Sequence, residues 1–238
     1  MQDLTGAVIA FDLDGTLVDT APDLIGALNT VLHEEGLPPV PLAAARHLVG
    51  RGVRVLIERG FAEAGERLDP ARIPPMVEHF VDIYLGRIAR ESAPFKGLDS
   101  ALDALSGAGA ALAVCTNKRT DLSLALLDGL GLTARFAAVV GADQAREKPD
   151  PALLYLAIER AGGRRERALY VGDSPIDLLT ARAAAVPVVG VSFGYTEEPL
   201  RPGDFDGFID RYAELPPLAE RLLGAGAIAD LSPAPRRA

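Results

Sequence analysis

The stretch "AVIAFDLDGTLVDTAPDL", residues 7–24, places two aspartates directly after a short apolar segment. Residues 8–11 are apolar without alternation, which is typical of a β-strand that is buried on both faces of a sheet. Asp12 and Asp14 follow at the carboxyl end of this predicted strand, and Gly15 comes next. An isolated Asp-x-Asp-Gly sequence is usually only a turn. Its significance therefore depends on the residue types at the ends of the other strands.

Further apolar runs predict the other strands of the same sheet. They are short and rich in Val, Leu and Ala, and they lie at residues 112–115, 136–140, 169–171 and 186–191. Apolar residues at helical spacing separate most of these runs, at residues 98–105, 122–130, 151–161 and 176–185. This alternation predicts an α/β fold with a doubly wound parallel sheet that is covered by helices on both faces.

The interval between the first and second predicted strands is about a hundred residues long, far more than one crossover helix needs. Helical patterns fill it, at residues 24–32, 42–48, 53–64 and 73–88. We predict that residues 20–92 form an all-helical insert, the cap. Residues 1–19 and 93–226 would then form the catalytic core, and residues 227–238 a loose C-terminal tail.

The overall composition limits the classes of function that this chain can have. The 238 residues carry a formal net charge of −9 with scattered basic residues, which argues against binding to nucleic acid or to an anionic membrane. Cys115 is the single cysteine, so an intrachain disulfide is excluded and a reducing compartment is indicated. Without an apolar stretch of about 18 residues or an N-terminal signal pattern, we expect a cytoplasmic protein. For an α/β enzyme of this size we expect a monomer or a homodimer.

Polar residues come after several of the predicted strands, at the end of the sheet where open parallel sheets bind ligands. In chain order they are Asp12, Asp14, Thr116, Asn117, Lys148, Asp173 and Asp177. Each alone has an ordinary explanation, because several could cap helices and the lysine could be solvated. Their common placement at one end of the sheet instead favours a functional site.

The residue types indicate phosphoryl transfer. Clustered carboxylates repel one another and favour a hard cation such as Mg²⁺. One carboxylate could then attack phosphorus, and a second, two residues away, could protonate the leaving oxygen and later deprotonate the attacking water. Lys148 would offset the charge of the phosphoryl oxygens, which Thr116, Asn117 and backbone N–H groups would hold. Asp12 and Asp14 would thus divide two roles between them, one as the nucleophile and the other as the acid/base.

Four ordered motifs resemble those of the haloacid dehalogenase superfamily of phosphohydrolases. They are "DLDGTLVDT", "TNK", "KPDP" and "GDSPID", and the resemblance covers nearly the whole chain. It implies a Rossmann-like core in which Asp12 is the nucleophile and Asp14 is the general acid/base. Thr116 and Lys148 would bind and stabilise the transferring phosphoryl group. The helical insert looks like the superfamily's cap, which closes over the substrate and excludes water.

The same resemblance implies a Mg²⁺ site. The Asp12 side chain, the Asp14 backbone carbonyl and Asp173 would be ligands, and Asp177 would be an auxiliary ligand or would support one. Asp14 also separates branches of the superfamily, because the dehalogenases have no leaving group to protonate and lack this second aspartate. Its presence favours phosphate chemistry over dehalogenation.

The stretch "HLVGRGVRVLIERGF", residues 47–61, is similar to the cap segment of the phosphoglycolate phosphatases within the superfamily. This similarity implies hydrolysis of 2-phosphoglycolate, a small phosphorylated organic acid, with Gly50 and Arg51 in the substrate site. Arg51 stands where a smaller polar residue is expected, so it could reach the substrate carboxylate or remain a solvated loop arginine. Ala185 stands where that family usually turns on glycine.

Other functions are compatible with the same core motifs. Another capped hydrolase could act on small sugar phosphates or pyrophosphate, and a β-phosphoglucomutase-like enzyme would need a cap that binds its bisphosphate intermediate and resists water. A non-catalytic scaffold is the alternative from a different class. The presence of Asp12, Asp14 and Lys148 argues against a scaffold, since such a protein need not keep them.

Overall fold

The computed structural model describes residues 3–45, 49, 50, 52–196 and 200–224, and these residues include eight strands. The strands are β1 (Val8–Phe11), β2 (Val18–Asp19), β3 (Ala93–Pro94), β4 (Ala111–Cys115), β5 (Ala138–Val140), β6 (Ala168–Gly172), β7 (Val188–Val191) and β8 (Gly207–Ile209). Six of them form one parallel sheet in the order β5-β4-β1-β6-β7-β8. The predicted α/β fold with a doubly wound parallel sheet is confirmed.

Helices cover both faces of this sheet. The described ranges contain the helices α1 (Ala21–Glu34), α2 (Leu42–Ala45), α3 (Val53–Glu63), α4 (Ile73–Leu85), α5 (Leu98–Gly107), α6 (Thr120–Gly129), α7 (Ala152–Arg160), α8 (Pro175–Ala184) and α9 (Leu215–Leu223), of which α5 to α9 cover the sheet. Helices α7 and α8 pack on the face that holds Val8 and Ala10, and α5, α6 and α9 pack on the face that holds Ile9 and Phe11. None of these described helices has the length and apolar composition needed to cross a membrane.

The position of β1 in the sheet determines where a ligand can bind. The chain passes from β1 to β4 and β5 on one side and then returns past β1 to β6 on the other side. In open α/β sheets, such a reversal of direction leaves a crevice beyond the carboxyl ends of the strands. Asp12 and Asp14 lie at this crevice because they come directly after β1.

Helices α1 to α4 occupy the interval between β2 and β3. Helix α1 packs against α3 and α4 through buried side chains that include Leu28, Ile57 and Phe80. Strands β2 and β3 pair antiparallel, with Asp19 opposite Ala93. The two segments that connect the helices to the core therefore run side by side, next to the limits predicted for the cap.

Asp23 in the first turn of α1 stabilises the second of these connections. Its carboxylate is fully buried and accepts hydrogen bonds from the backbone N–H groups of Glu91 and Ser92, at 2.9 and 2.7 Å. It also accepts a bond of 2.8 Å from the Ser92 hydroxyl and pairs with Arg87 at 3.3 Å. Burial raises the pKa of Asp23, but these donors outweigh burial and leave the pKa below its usual value.

The C-terminal part of the core contains elements that the sequence pattern did not predict. Strand β8 has three residues, too few for a recognisable pattern, and α9 begins with two prolines in its first turn.

Strand β5 begins at Ala138, not at residue 136, because residues 133–135 form a 3₁₀ turn. The predicted tail at 227–238 lies outside the described residues.

Ala185 ends helix α8 in a left-handed conformation. Its φ angle is 55°, and its N–H bonds to carbonyl groups in the last turn of the helix. This conformation costs an L-residue with a Cβ atom roughly 1–2 kcal/mol, whereas glycine adopts it without steric strain. Alanine in place of the expected glycine is therefore tolerated at this position, but with strain in the backbone.

We predict that Ala185→Gly stabilises the protein by about 0.5–1 kcal/mol, because relief of this strain exceeds the larger entropy of glycine in the unfolded chain. The free energy of unfolding from urea titration measures this change. Ala183→Gly, an exposed position inside the same helix, is the matched control and should cost about 1 kcal/mol. A loss of stability in Ala185→Gly would contradict the interpretation.

Candidate active site

Asp12 and Asp14 lie on the same side of the chain after β1. Leu13 between them is fully buried in the hydrophobic core, so the two aspartates face away from it. The turn after them is closed by a hydrogen bond of 2.9 Å from the Gly15 N–H to the Val18 carbonyl. The two carboxylates are thereby directed into the crevice.

Gly15 allows this turn to approach the loop after β6. Its φ angle is 85°, and a Cβ atom at this position would lie 2.4 Å from Oδ2 of Asp173. Any other residue would strain the backbone and collide with that carboxylate. Asp173 itself accepts hydrogen bonds from the Thr16 hydroxyl at 3.0 Å and from the Tyr195 N–H at 2.7 Å.

Asp12, Asp173 and Asp177 form a buried cluster of carboxylates. Each offers an oxygen, and these three oxygens lie within 4.8 Å of one another. Burial raises the pKa of Asp12 to about 6, against the opposing charge of Lys148. Burial and the charges of the other two aspartates raise the pKa of Asp173 to about 8. The cluster therefore has more negative charge than its surroundings neutralise, which fits a divalent metal ion.

Lys148 supplies positive charge inside this cluster. Its Nζ atom lies 2.9 Å from Oδ1 of Asp12 and 2.7 Å from Oδ1 of Asp177, and it donates a hydrogen bond of 3.0 Å to the Tyr170 hydroxyl. Burial alone would lower the pKa of Lys148, but the two carboxylates raise it above its usual value. The ammonium group therefore stays charged beside Asp12.

Asp177 is held by groups on several sides. Its Oδ1 atom accepts hydrogen bonds from Lys148 and from the Tyr170 hydroxyl, at 2.7 and 2.8 Å. Its Oδ2 atom forms a capping box with the hydroxyl and N–H of Ser174 at the start of α8. Tyr170 was missed in the sequence pattern, because a tyrosine inside an aliphatic strand is usually a core residue.

Asn117 binds the backbone of Lys148 at two points. Its Oδ1 atom accepts a hydrogen bond of 2.8 Å from the Lys148 N–H, and its Nδ2 atom donates one of 3.1 Å to the Lys148 carbonyl. Asn117 was predicted to bind substrate directly. Asn117 lines the cavity, so substrate binding stays a prediction. Its amide also lies against the loop that carries Lys148, so it can position that lysine.

Lys118 is a second buried cation, and it pairs with Asp14. Its Nζ atom lies 2.8 and 3.1 Å from the two oxygens of the Asp14 carboxylate, and its side chain is 6% exposed. Thr116, which is 2% exposed, accepts a hydrogen bond of 3.2 Å from the Lys118 N–H. The sequence pattern did not assign a role to Lys118, although it is the third residue of the "TNK" motif.

Tyr195 connects the carboxylate cluster with the insert. Its N–H bonds to Asp173, and its hydroxyl donates to the Asp19 carboxylate and accepts a 3.0 Å bond from the N–H of Ala21 at the start of α1. The sequence pattern did not predict a role for this loop residue. No local pattern could have revealed a contact over more than 170 residues of chain.

A cavity of about 380 Å³ lies between the core and the helical insert. Asp12, Asp14, Thr116 and Lys118 line it from the core. The insert contributes mainly apolar side chains, which are Leu24, Val49, Val53, Val55, Leu56, Val77 and Val81, and it also contributes Gly50, Gly52, Arg54 and Tyr84. The predicted substrate residue Arg51 lies outside the described residues.

Comparison with known proteins places the chain in a family. A model of the haloacid dehalogenase-like hydrolases matches residues 9–191. The chain belongs to this family. The predicted superfamily and its hydrolase chemistry are thereby confirmed.

Individual relatives extend this result. The chain is 54% identical to a phosphoglycolate phosphatase from Caulobacter vibrioides over 94% of each chain. It is 48% identical to a phosphoglycolate phosphatase from Agrobacterium fabrum, over 92% of this chain and 95% of that protein. A crystal structure described as a predicted phosphoglycolate phosphatase from Haemophilus somnus is 29% identical, with a TM-score of 0.80, and the match covers 90% of this chain and 97% of that one.

We predict that a divalent ion such as Mg²⁺ stabilises the folded chain through the carboxylate cluster. At a free-ion concentration of 100 times the Kd, the free energy of unfolding should rise by about 2.7 kcal/mol, because only the folded state binds the ion tightly. Thermal unfolding with Mg²⁺ and with a chelator measures this difference.

Asp173→Asn should abolish this metal-dependent stabilisation. With chelator present, the variant should be at least as stable as the parent protein, because a neutral amide avoids the burial and charge repulsion that raise the pKa of Asp173, and the Thr16 hydroxyl can accept as well as donate a hydrogen bond. Asp128→Asn, at an exposed position on α6, is the control and should keep the full response. An unchanged metal response in Asp173→Asn would exclude this aspartate as a ligand.

Proposed function

We propose that this chain hydrolyses 2-phosphoglycolate to glycolate and phosphate, through a phosphoryl group that is carried transiently on Asp12. The observation that carries this proposal is the meeting of Asp12, Asp14, Thr116 and Lys148 at one end of the sheet, beneath a cavity suited to a small phosphate ester. The two bacterial relatives that bear this activity in their names match over more than nine-tenths of the chain.

In the first half of the reaction, a carboxylate oxygen of Asp12 attacks phosphorus and the bond from phosphorus to the substrate oxygen breaks. Asp14 gives its proton to that leaving oxygen, which becomes the hydroxyl group of glycolate. In the second half, Asp14 takes a proton from water as the water oxygen attacks phosphorus. The bond between Asp12 and phosphorus then breaks, inorganic phosphate leaves, and both aspartates return to their starting states.

Two further residues would act on the phosphoryl group. The Lys148 ammonium, held 2.9 Å from Asp12, offsets negative charge on the phosphoryl oxygens and limits repulsion between them and the nucleophile. The Thr116 hydroxyl can donate a hydrogen bond to the same oxygens while it accepts from the Lys118 N–H. Asn117 supports this arrangement by fixing the Lys148 backbone.

The metal would be Mg²⁺, held by the side chains of Asp12 and Asp173 and by the backbone carbonyl of Asp14. When bound, it supplies positive charge that neutralises the carboxylates and polarises the phosphoryl oxygens. Asp177 already accepts hydrogen bonds at both oxygens, so its part is to fix Lys148 and to support the ligand set.

Residues 20–92 would act as a cap over this site, joined to the core beside the paired strands β2 and β3. The apolar side chains that the insert places in the cavity would exclude water during phosphoryl transfer. Gly50 and Arg51 would belong to the substrate side of the cap. The cytoplasmic location and the monomeric or dimeric state remain predictions from the sequence.

The proposed reaction is tested by measuring phosphate release from 2-phosphoglycolate, sugar phosphates, β-glucose 1-phosphate and pyrophosphate, with Mg²⁺ and with chelator. We expect kcat/KM for 2-phosphoglycolate to exceed the others by at least a hundredfold, about 2.7 kcal/mol in transition-state free energy. Asp12→Asn should release no phosphate above background. Broad and weak hydrolysis would exclude this substrate assignment, and isomerisation of β-glucose 1-phosphate would indicate a mutase.

Asp14→Asn separates the acid/base role from the other steps. For 2-phosphoglycolate, whose alkoxide leaving group needs a proton, kcat/KM should fall by about 10²–10⁴-fold. For p-nitrophenyl phosphate, whose leaving group needs no proton, the loss in kcat/KM should be less than about tenfold, since this parameter ends at phosphoryl transfer. Equal losses for both substrates would contradict the assignment of Asp14 as the acid.

A further inference from the structure

Tyr84 brings an unpartnered hydroxyl group to the cavity. The residue lies near the end of α4, is fully buried and lines the cavity from the side of the insert. Among the described residues, its hydroxyl oxygen has no hydrogen-bond partner. Burial raises the pKa of Tyr84 to about 12, although the nearby Lys118 charge lowers it, so the hydroxyl remains a donor at neutral pH. A buried donor of this kind is normally satisfied by a partner or a ligand.

Lys118 lies directly beside this tyrosine and belongs to the core. Its ammonium nitrogen is 4.8 Å from the centroid of the Tyr84 ring and contacts both oxygens of Asp14. An ammonium group has three donors, so the bonds to a single carboxylate leave it able to bind another acceptor. One cation and one hydroxyl donor, from different parts of the chain, therefore meet at the same point in the cavity.

We propose that Tyr84 and Lys118 together bind a carboxylate group of the substrate, next to the reacting phosphate. This inference rests on the proposed function and names the residues that recognise the carboxylate of the substrate. In 2-phosphoglycolate the carboxyl carbon is two bonds from the oxygen that Asp14 protonates. Because Lys118 contacts Asp14, a group held two bonds from that oxygen comes within reach of the Lys118 ammonium.

The surroundings of this pair favour a small anion over a bulky polar group. Leu24, Val77, Val81 and Leu122 line the same cavity and offer no side-chain donors. The other described cations there, Arg54 and Arg119, are exposed and paired with neighbouring carboxylates. A sugar or a second phosphate would have to leave most of its hydrogen bonds unmade in such a setting. A single carboxylate requires only the donors that Tyr84 and Lys118 provide.

The test compares 2-phosphoglycolate with 2-hydroxyethyl phosphate, which has the same skeleton without the carboxylate. The measured quantity is the ratio of kcat/KM for the two esters, because damage to Asp14 or to folding lowers both values together. We expect Lys118→Met to lower this ratio by at least a hundredfold, and Tyr84→Phe, which keeps the ring, by about tenfold. Arg119→Met replaces an exposed cavity-lining cation and is the matched control, with an unchanged ratio.

Binding provides a second readout that does not need turnover. In an Asp12→Asn background, calorimetry gives the Kd of each ester, and both substitutions should remove the preference for the carboxylate. If neither variant changes either ratio, the carboxylate site is wrong even where the parent enzyme hydrolyses 2-phosphoglycolate. If the parent binds the acid preferentially through these residues but does not hydrolyse it, the proposed function fails and the site is retained.

Discussion

Three carboxylates and one ammonium group share a buried space at the carboxyl end of β1, and the rest of the site depends on this constraint. Burial of a charged group costs several kcal/mol unless partners compensate for the lost water. Lys148 compensates in part by lying between Asp12 and Asp177, and hydroxyl and N–H donors surround the aspartates. The remaining negative charge is what makes the site selective for a cation and, with it, for a phosphoryl group.

Such a cluster requires the backbone to come unusually close to the carboxylates. A Cβ atom at Gly194 would lie 2.2 Å from the Cβ of Asp173, and one at Gly172 would lie 2.4 Å from that of Asp177. These glycines and Gly15 belong to three separate segments that converge only in the folded chain. Because parallel strands end at the same edge, the sheet can hold these segments in place with little freedom to relax.

Site residues could be predicted from the sequence where they follow an apolar strand, but not where their roles depend on contacts that only the folded chain makes. Asp12, Lys148 and Asp173 could be located because an apolar run precedes each of their loops and their types suit phosphoryl transfer. Tyr170 could not, because a tyrosine inside an aliphatic strand is usually a core residue, and Tyr195 could not, because its hydroxyl contacts Asp19 and Ala21, more than 170 residues away in the chain. Asn117 was identified as part of the site, yet its contact with the Lys148 backbone became visible only in three dimensions.

The contacts of Tyr195 explain how the metal site and the insert depend on each other. Tyr195 bonds to Asp173 through its N–H, and to Asp19 and the start of α1 through its hydroxyl. These contacts fix the position of the insert relative to the carboxylate cluster. The cavity is likewise assembled from both parts, with Tyr84 from the insert and Lys118 from the core. A substrate that satisfies both donors strengthens the contact between the parts and excludes water when phosphoryl transfer begins. A phosphate ester without a matching acceptor leaves these donors unpaired, which penalises the same closed arrangement.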